Sequence, residues 1–292
     1  MQAGKSFFVG IDTGGTYTDA VIVEHGSHRI IASAKALTTK GDLSVGVKEA
    51  LAAVVQKLPE GTGASDIALV SVSTTLATNA VVEGHGSPVG VFLIGFDGPM
   101  AERTGIARAF PGLPMKIIDG GHDHNGDAAR LLDFAGLERE AAAMGAEVSA
   151  FAVASAFAVR NPAHEQQARE IITRVTGKPV TLSTELTASL DAPRRALTAV
   201  LNARLISRIS LLIEAVRLTM SELRISCPLM VVKGDGTLAR AEGVALRPIE
   251  TVLSGPAASL VGAKWLSNLD SFIMSDIGGT TTDVGILRDG RP

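Results

Sequence analysis

The amino-acid sequence predicts an α/β protein, a sheet whose strands are covered by helices, and three observations lead there. Strand-like and helix-like patterns alternate along nearly the whole chain. Of the 292 residues 46% are hydrophobic, enough to bury at least one large core, and the length suggests roughly two domains. Nearly the same stretch also occurs twice, each time between two strand patterns: VGIDTGGTYTD at residues 9–19 and MSDIGGTTTD at residues 274–283.

The elements follow in order. Phe7 to Ile11, Ala20 to Glu24 and Arg29 to Ala36 read as three successive strands, joined first by the Gly-Gly turn and then by Glu24-His25-Gly26-Ser27. Leu43 to Leu58 carries apolar residues at helical spacing until Pro59 and Gly61 stop it. Ile67 to Val72, Val89 to Ile94 and Ala150 to Ala154 read as buried strands, separated by helices beginning near Thr75 and Gly136. Pro99 to Leu132 is rich in Gly, Pro and Asp and reads as an inserted loop or hairpin. Asn161 to Thr176 is expected to be a helix closed by Gly177, and Pro179 to Leu182 a short strand. The longest helical pattern runs from Leu197 to Leu218, after which Leu229 to Val232 is a strand, Gly255 to Leu266 a helix and Phe272 to Ser275 a strand. The expected organisation is a first domain over 1–190, a connecting helix over 191–224 and the start of a second domain over 225–292.

Composition excludes several functions. A net charge of −3 gives no electrostatic footprint for nucleic acid or an anionic membrane, whose binders cluster Lys and Arg against phosphates. The longest apolar stretch, Val148 to Val159, is interrupted by serines and too short to span a bilayer. Cys227 is the only cysteine, so no intrachain disulfide is possible; it reads as a small core side chain in a reducing, cytoplasmic setting.

The repeat carries the chemistry. Aligning Asp12–Val23 with Asp276–Leu287 gives identities at seven of twelve positions. A glycine hairpin lets backbone N–H groups approach an anion closely, threonine hydroxyls add donors, and the leading aspartate offers oxygen to a hard divalent cation. Two such loops facing one cleft would clamp a nucleotide's phosphates from both sides. Asp19 and Asp283, which close the two copies, are equally consistent with structural acceptors of turn N–H groups.

The two loops resemble the phosphate-1 and phosphate-2 motifs of the actin, sugar kinase and Hsp70 superfamily. The further segments STTLATNAVVEGHG, NPAHEQQARE, LDAPRRALTAVLNA and LSGPAASLVGA, in this order, make the chain similar to the hydantoinase A and 5-oxoprolinase family. The resemblance implies an actin-like (ribonuclease H-like) ATPase fold, here one complete domain plus the start of a second. It implies ATP-dependent hydrolytic opening of a cyclic amide such as a hydantoin or 5-oxoproline, this subunit activating the amide by phosphorylation. ATP and Mg²⁺ would be the cofactors, and a hydantoinase B type subunit the partner. On the same resemblance Thr13, Gly14, Gly15, Thr16, Thr18, Gly278, Gly279, Thr280 and Thr281 would bind phosphates, and Asp12 and Asp276 would organise Mg²⁺ and serve catalysis. Thr74, Thr75, Thr78 and Asn79 match a family segment that could meet substrate, or could simply cap a helix. Family members commonly carry His-Gly before those threonines; this chain has Val72 and Ser73, which puts a standard hydantoinase substrate in doubt. The alternatives are the ATP-binding subunit of a ketone carboxylase and a small-molecule kinase of the same superfamily.

Other candidates are weighed on their residues. His122, Asp123, His124 and Asp127 are metal-capable, yet a Gly-rich loop with histidines two apart reads better as a solvated turn. Lys233-Gly234-Asp235-Gly236 is either a Gly loop at a strand end or a turn, and Ser254-Gly255-Pro256 either an anion-binding helix start or a plain cap. Because the adenosine-binding segment of an actin-like protein follows the phosphate-2 hairpin, the chain is expected to be an N-terminal fragment, inactive alone. Bare apolar surface in its unfinished domain leaves a homo-oligomer open.

Overall fold

The computed structural model describes residues 6–39, 42–82, 84, 86–277 and 282–290. Strands are β1 (Phe7–Thr13), β2 (Tyr17–Glu24), β3 (Ile30–Leu37), β4 (Ile67–Thr74), β5 (Val89–Ile94), β6 (Met115–Ile118), β7 (Ala150–Ser155), β8 (Val180–Leu182), β9 (Leu229–Val232), β10 (Leu238–Arg240), β11 (Phe272–Ile277) and β12 (Thr282–Leu287). Helices are α1 (Leu43–Val55), α2 (Leu76–Val82), α3 (Gly98–Arg103), α4 (Ile106–Ala109), α5 (Phe134–Met144), α6 (Ala163–Thr176), α7 (Ala192–Glu222), α8 (Ala241–Leu246) and α9 (Ser254–Ser267). Chain contacts define two compact units, 1–79 with 208–292 and 80–207. This division runs along other lines than the sequence-based boundaries near 190 and 225, because β9 pairs in parallel with β4 and so joins the sheet of β1.

The first unit is built on a sheet in the order β10-β9-β4-β1-β2-β3. β1 alternates strictly: Phe7, Val9, Ile11 and Thr13 are buried, while Phe8, Gly10 and Asp12 are only partly so. α1 packs its Val47, Ala50, Leu51 and Val54 into this unit's core. Asp42 caps α1 by accepting from the Ser44 N–H, and Gly46 lets the helix approach β3 so closely that an added Cβ would lie 2.6 Å from the Leu37 carbonyl oxygen. Beyond the sheet, β11 and β12 form an antiparallel ribbon with Leu287 buried, whereas Ile273, Ile277, Val284 and Ile286 are exposed.

The second unit is a parallel sheet in the order β6-β5-β7-β8. Every residue of β5 and β7 is buried, which is why each reads in the sequence as an unbroken apolar run. Val89, Val91 and Leu93 cluster with Ala192, Ala196, Ala199, Val200 and Ala203 of α7. Phe92 and Ile94 cluster with Leu137, Ala141 and Met144 of α5 and Ala168 and Ile172 of α6. α7 is long and apolar enough by composition to cross a membrane, but this packing makes it a core helix. The stretch 99–132, expected as a loop or hairpin, instead holds most of α3, α4 and the edge strand β6, elements too short to show a period.

Candidate functional site

The site is organised by the register of four strands. Asp12 sits opposite Asp19 across β1 and β2, Asp19 opposite Lys35 across β2 and β3, and Asp12 opposite Ser73 across β1 and β4. A polar row, Ser73, Asp12, Asp19, Lys35, therefore crosses the sheet. The Ser73 hydroxyl donates to Asp12 Oδ1 at 2.6 Å, and Lys35 Nζ pairs with Asp19 Oδ2 at 2.7 Å while lying 4.8 Å from the centre of the Tyr17 ring. The row lines an open pocket of about 540 Å³ with Gly10, Ser71 and Ala258, small residues that leave this face of the sheet uncovered.

Beside the middle of the row, where β1 passes into β2, the chain turns. Gly14 donates its N–H to the Tyr17 carbonyl at 2.9 Å, closing a tight hairpin whose tip is Gly14, Gly15 and Thr16. A Cβ at Gly14 would come within 3.1 Å of that carbonyl, and one at Gly15 would meet only Asn79 Nδ2, at 3.6 Å. Thr13 Oγ1, at the hairpin's stem, is fully buried and has no hydrogen-bond partner among the described residues. Thr18 instead turns its hydroxyl into the core against Thr38 Oγ1 at 3.0 Å.

α2 starts beside this hairpin. Thr74, just ahead of the helix, accepts from the Leu76 N–H at 3.0 Å in a threonine turn and donates to the Thr13 carbonyl at 3.1 Å. Thr78 Oγ1 accepts from the Leu253 N–H at 2.8 Å, so both of these hydroxyls are committed to backbone groups. Thr75 is anchored through its N–H to the Thr13 carbonyl, and Asn79 lies against Gly15, leaving these two nearest the turn. Ser254 is likewise committed: fully buried, it donates to the Thr74 carbonyl at 2.9 Å and accepts from the Thr74 N–H at 3.3 Å, pinning the start of α9 to the end of β4.

The second Gly-Gly loop, Gly278, Gly279, Thr280 and Thr281, lies outside the described residues. The strands that bear it are placed. Asp276 faces Asp283 in the ribbon, and its Oδ2 accepts from Ser259 Oγ at 2.8 Å. Burial pushes the Asp12 carboxyl above its ordinary value, the Ser73 hydroxyl opposes this, and the charges of Asp19 and then Asp276 push it further up, with Lys35 relieving part. Asp12 and Asp276 thus feel each other's charge. The Asp12 carboxylate, under the charge of Asp276, and the glycine turn offer the oxygen and N–H donors that a hard divalent cation and phosphate take, whereas Thr13, one residue further along β1, turns its side chain to the opposite, buried face of the sheet.

Two further sequence candidates resolve as structure. Asp123 Oδ1 accepts the N–H groups of Asn125, Gly126 and Asp127, which makes that loop a self-satisfied turn. His122, however, is buried, not solvated: its ring lies 4.2 Å from that of His164, whose Nδ1 accepts from the Gly121 N–H at 2.9 Å. No group of three or more metal-capable side chains occurs among the described residues. Lys233 to Gly236 is the β9–β10 turn, in which Asp235 accepts from Thr237 Oγ1 and N–H, holding its carboxyl down at about 2. Lys35 and Ser73 were not selected from the sequence because only strand register puts them beside Asp19 and Asp12.

Comparison with known proteins bears on the family and the fold. The family described as hydantoinase/oxoprolinase N-terminal region matches residues 8–176, and hydantoinase/oxoprolinase matches residues 195–292. The caprolactamase subunit alpha of Pseudomonas jessenii is 26% identical over 98% of this chain and 44% of its own length. The acetophenone carboxylase gamma subunit of Aromatoleum aromaticum is 29% identical over 96% of this chain and 42% of its own. Among solved structures, a nucleotide-free acetone carboxylase superposes with a TM-score of 0.79 at 21% identity, covering 98% of this chain and 44% of that one. The ATP-dependent caprolactamase of P. jessenii superposes with a TM-score of 0.76 at 25% identity, covering 96% and 43%. The chain spans less than half the length of these relatives. Its fold is the mixed α/β, actin-like fold of these structures, and the chain belongs to the hydantoinase/oxoprolinase family.

Proposed function

We propose that this chain is the phosphate-binding part of an ATP-dependent enzyme that activates a carbonyl compound, a cyclic amide of the hydantoin or 5-oxoproline type, for hydrolytic ring opening. The supporting observation is the polar row Ser73, Asp12, Asp19, Lys35, whose two middle members lie on the strands joined by the Gly14–Gly15 turn. The open turn presents backbone N–H groups to phosphate oxygens, with Thr75 and Asn79 beside it. Asp12 and Asp276 would hold Mg²⁺, the cation lowering their mutual repulsion and the charge of the phosphates. ATP supplies what an unactivated amide lacks: transfer of its γ-phosphoryl group to the carbonyl oxygen, releasing ADP, removes amide resonance, so that water adds to the carbon, the C–N bond breaks with the proton going to nitrogen, and the acyl phosphate left is hydrolysed to carboxylate and phosphate. Lys35, tied to Asp19, adds positive charge at the far end of the pocket, where a carbonyl oxygen or transferred phosphate gains charge.

The curated relatives carry subunit designations, which supports a partner subunit, in our reading of the hydantoinase B type, completing hydrolysis. A carboxylase that activates a ketone is the second reading, and the acetophenone carboxylase relative favours it, since the same activation of a carbonyl oxygen serves both reactions. The discriminating experiment measures ATP consumption by the protein with its partner in the presence of hydantoin, 5-oxoproline, a larger lactam, a ketone with bicarbonate, or a sugar. Stimulation by cyclic amides alone is expected. Stimulation by ketone with bicarbonate selects the carboxylase, and stimulation by a sugar would remove both readings in favour of a kinase.

A further inference from the structure

We propose that Ser73 is the positioning residue for Asp12, fixing the carboxylate so that one oxygen stays free for a phosphate-bound cation; this rests on the reading of the Gly14–Gly15 turn as a phosphate site. Ser73 stands directly opposite Asp12 in the parallel pairing of β4 with β1 and is only 5% exposed. Its hydroxyl hydrogen has two acceptors within reach, Asp12 Oδ1 at 2.6 Å and the Ile11 carbonyl at 3.5 Å. One hydrogen cannot serve both well, and the short bond to the carboxylate is the stronger.

That bond has a geometric consequence. Oδ1 is held toward β4, and among the described residues nothing donates to Oδ2, which is left to the pocket. Without the hydroxyl an aspartate beside Asp19 and within the field of Asp276 would swing among its rotamers, away from like charge. The rest of the row cannot replace Ser73, because Lys35 is already paired with Asp19 on the far side. Thr74, the next hydroxyl along β4, is committed to the Thr13 carbonyl and the Leu76 N–H. Hydrogen-bond partners of cation-holding groups typically change cation affinity by roughly 10- to 100-fold.

The test is calorimetric titration of the 292-residue chain with pyrophosphate, with and without Mg²⁺, for the wild type, Ser73→Ala, Ser73→Thr and Asp12→Asn. Ser73→Ala should weaken the Mg²⁺-dependent part of binding roughly 10-fold or more, leave Mg²⁺-free binding and the melting temperature unchanged, and be rescued by Ser73→Thr, which restores the hydroxyl. If Asp12→Asn removes the Mg²⁺-dependent part while Ser73→Ala keeps it, the positioning role is overturned and the phosphate reading stands. If Ser73→Ala weakens Mg²⁺-free and Mg²⁺-bound pyrophosphate equally, Ser73 is structural and the proposal again fails. A wild type with no Mg²⁺-dependent binding, or an Asp12→Asn variant indistinguishable from it, overturns both.

Discussion

Glu165→Gln is the change whose cost the structure specifies most fully. Glu165 is fully buried, and each of its oxygens accepts one backbone N–H and one hydroxyl: Oε1 from Ser155 N at 2.9 Å and Ser183 Oγ at 2.6 Å, Oε2 from Thr184 N at 3.1 Å and Thr184 Oγ1 at 2.8 Å. Hydroxyls can rotate to suit an amide, but backbone N–H groups cannot. Whichever way the glutamine amide is turned, its NH₂ therefore faces one N–H and strands it. The carboxylate also compensates Arg195, which is fully buried and donates to Ser183 Oγ, the Ser189 carbonyl and the Ser155 carbonyl. Removing one member of such a pair costs about 3–5 kcal/mol. At about 3 °C per kcal/mol for a chain of this size, melting should fall by roughly 10–15 °C. Thermal unfolding followed by circular dichroism measures this, and Glu165→Gln with Arg195→Met should recover part of the loss by removing the orphaned charge. A single-variant shift below about 2 °C would refute the argument.

Three other outcomes are expected. Burial lowers both His122 and His164 below their ordinary value of 6.5, their mutual repulsion lowers His164 further, and Asp123 only partly offsets the effect on His122. Their neutral pairing thus stabilises the fold above pH 6.5, and this is lost as pH falls through the depressed folded values; urea unfolding between pH 7.5 and 5 should show the decline, and His122→Asn with His164→Gln should flatten it. Gly46→Ala, normally worth up to about 1 kcal/mol of gain in a helix, should instead destabilise by about 1–3 kcal/mol, because the added Cβ would lie 2.6 Å from the Leu37 carbonyl oxygen. Thr74→Val should cost about 1 kcal/mol in chemical denaturation through loss of the buried hydroxyl's bonds to the Leu76 N–H and the Thr13 carbonyl, and an unchanged midpoint would refute that role.

How much of this was legible depends on the range of the interaction. β5 and β7 were readable because burial on both faces writes a continuous apolar run. The hairpin of β1 and β2 was readable because glycine chemistry is local, and Asp12, Gly14 and Gly15 fall where the repeat put them. α7 begins at Ala192, ahead of the Leu197–Leu218 pattern, because its contact residues there, Ala192 and Ala196, are too small to mark an apolar stripe. β6 and the pairing of β9 with β4 were hidden, the first by its four residues at a sheet edge, the second by its sequence separation. The same limit concealed the useful part of the site. Ser73 drew notice only as a departure from the family, and Lys35 not at all, until register set them against Asp12 and Asp19. His122 and His164 meet only through tertiary packing.

The most direct test of the central claim, that the Gly14–Gly15 turn binds phosphate, is pyrophosphate affinity in the presence of Mg²⁺ for the wild type, Gly15→Val and His124→Ala. A Cβ at Gly15 meets nothing closer than Asn79 Nδ2 at 3.6 Å, so the variant should fold normally while its side chain blocks the approach of an anion to the backbone. The account predicts micromolar-or-weaker but measurable binding by the wild type and His124→Ala, and at least about a tenfold loss, 1.4 kcal/mol, in Gly15→Val at unchanged melting temperature. Equal affinities in all three proteins would contradict it.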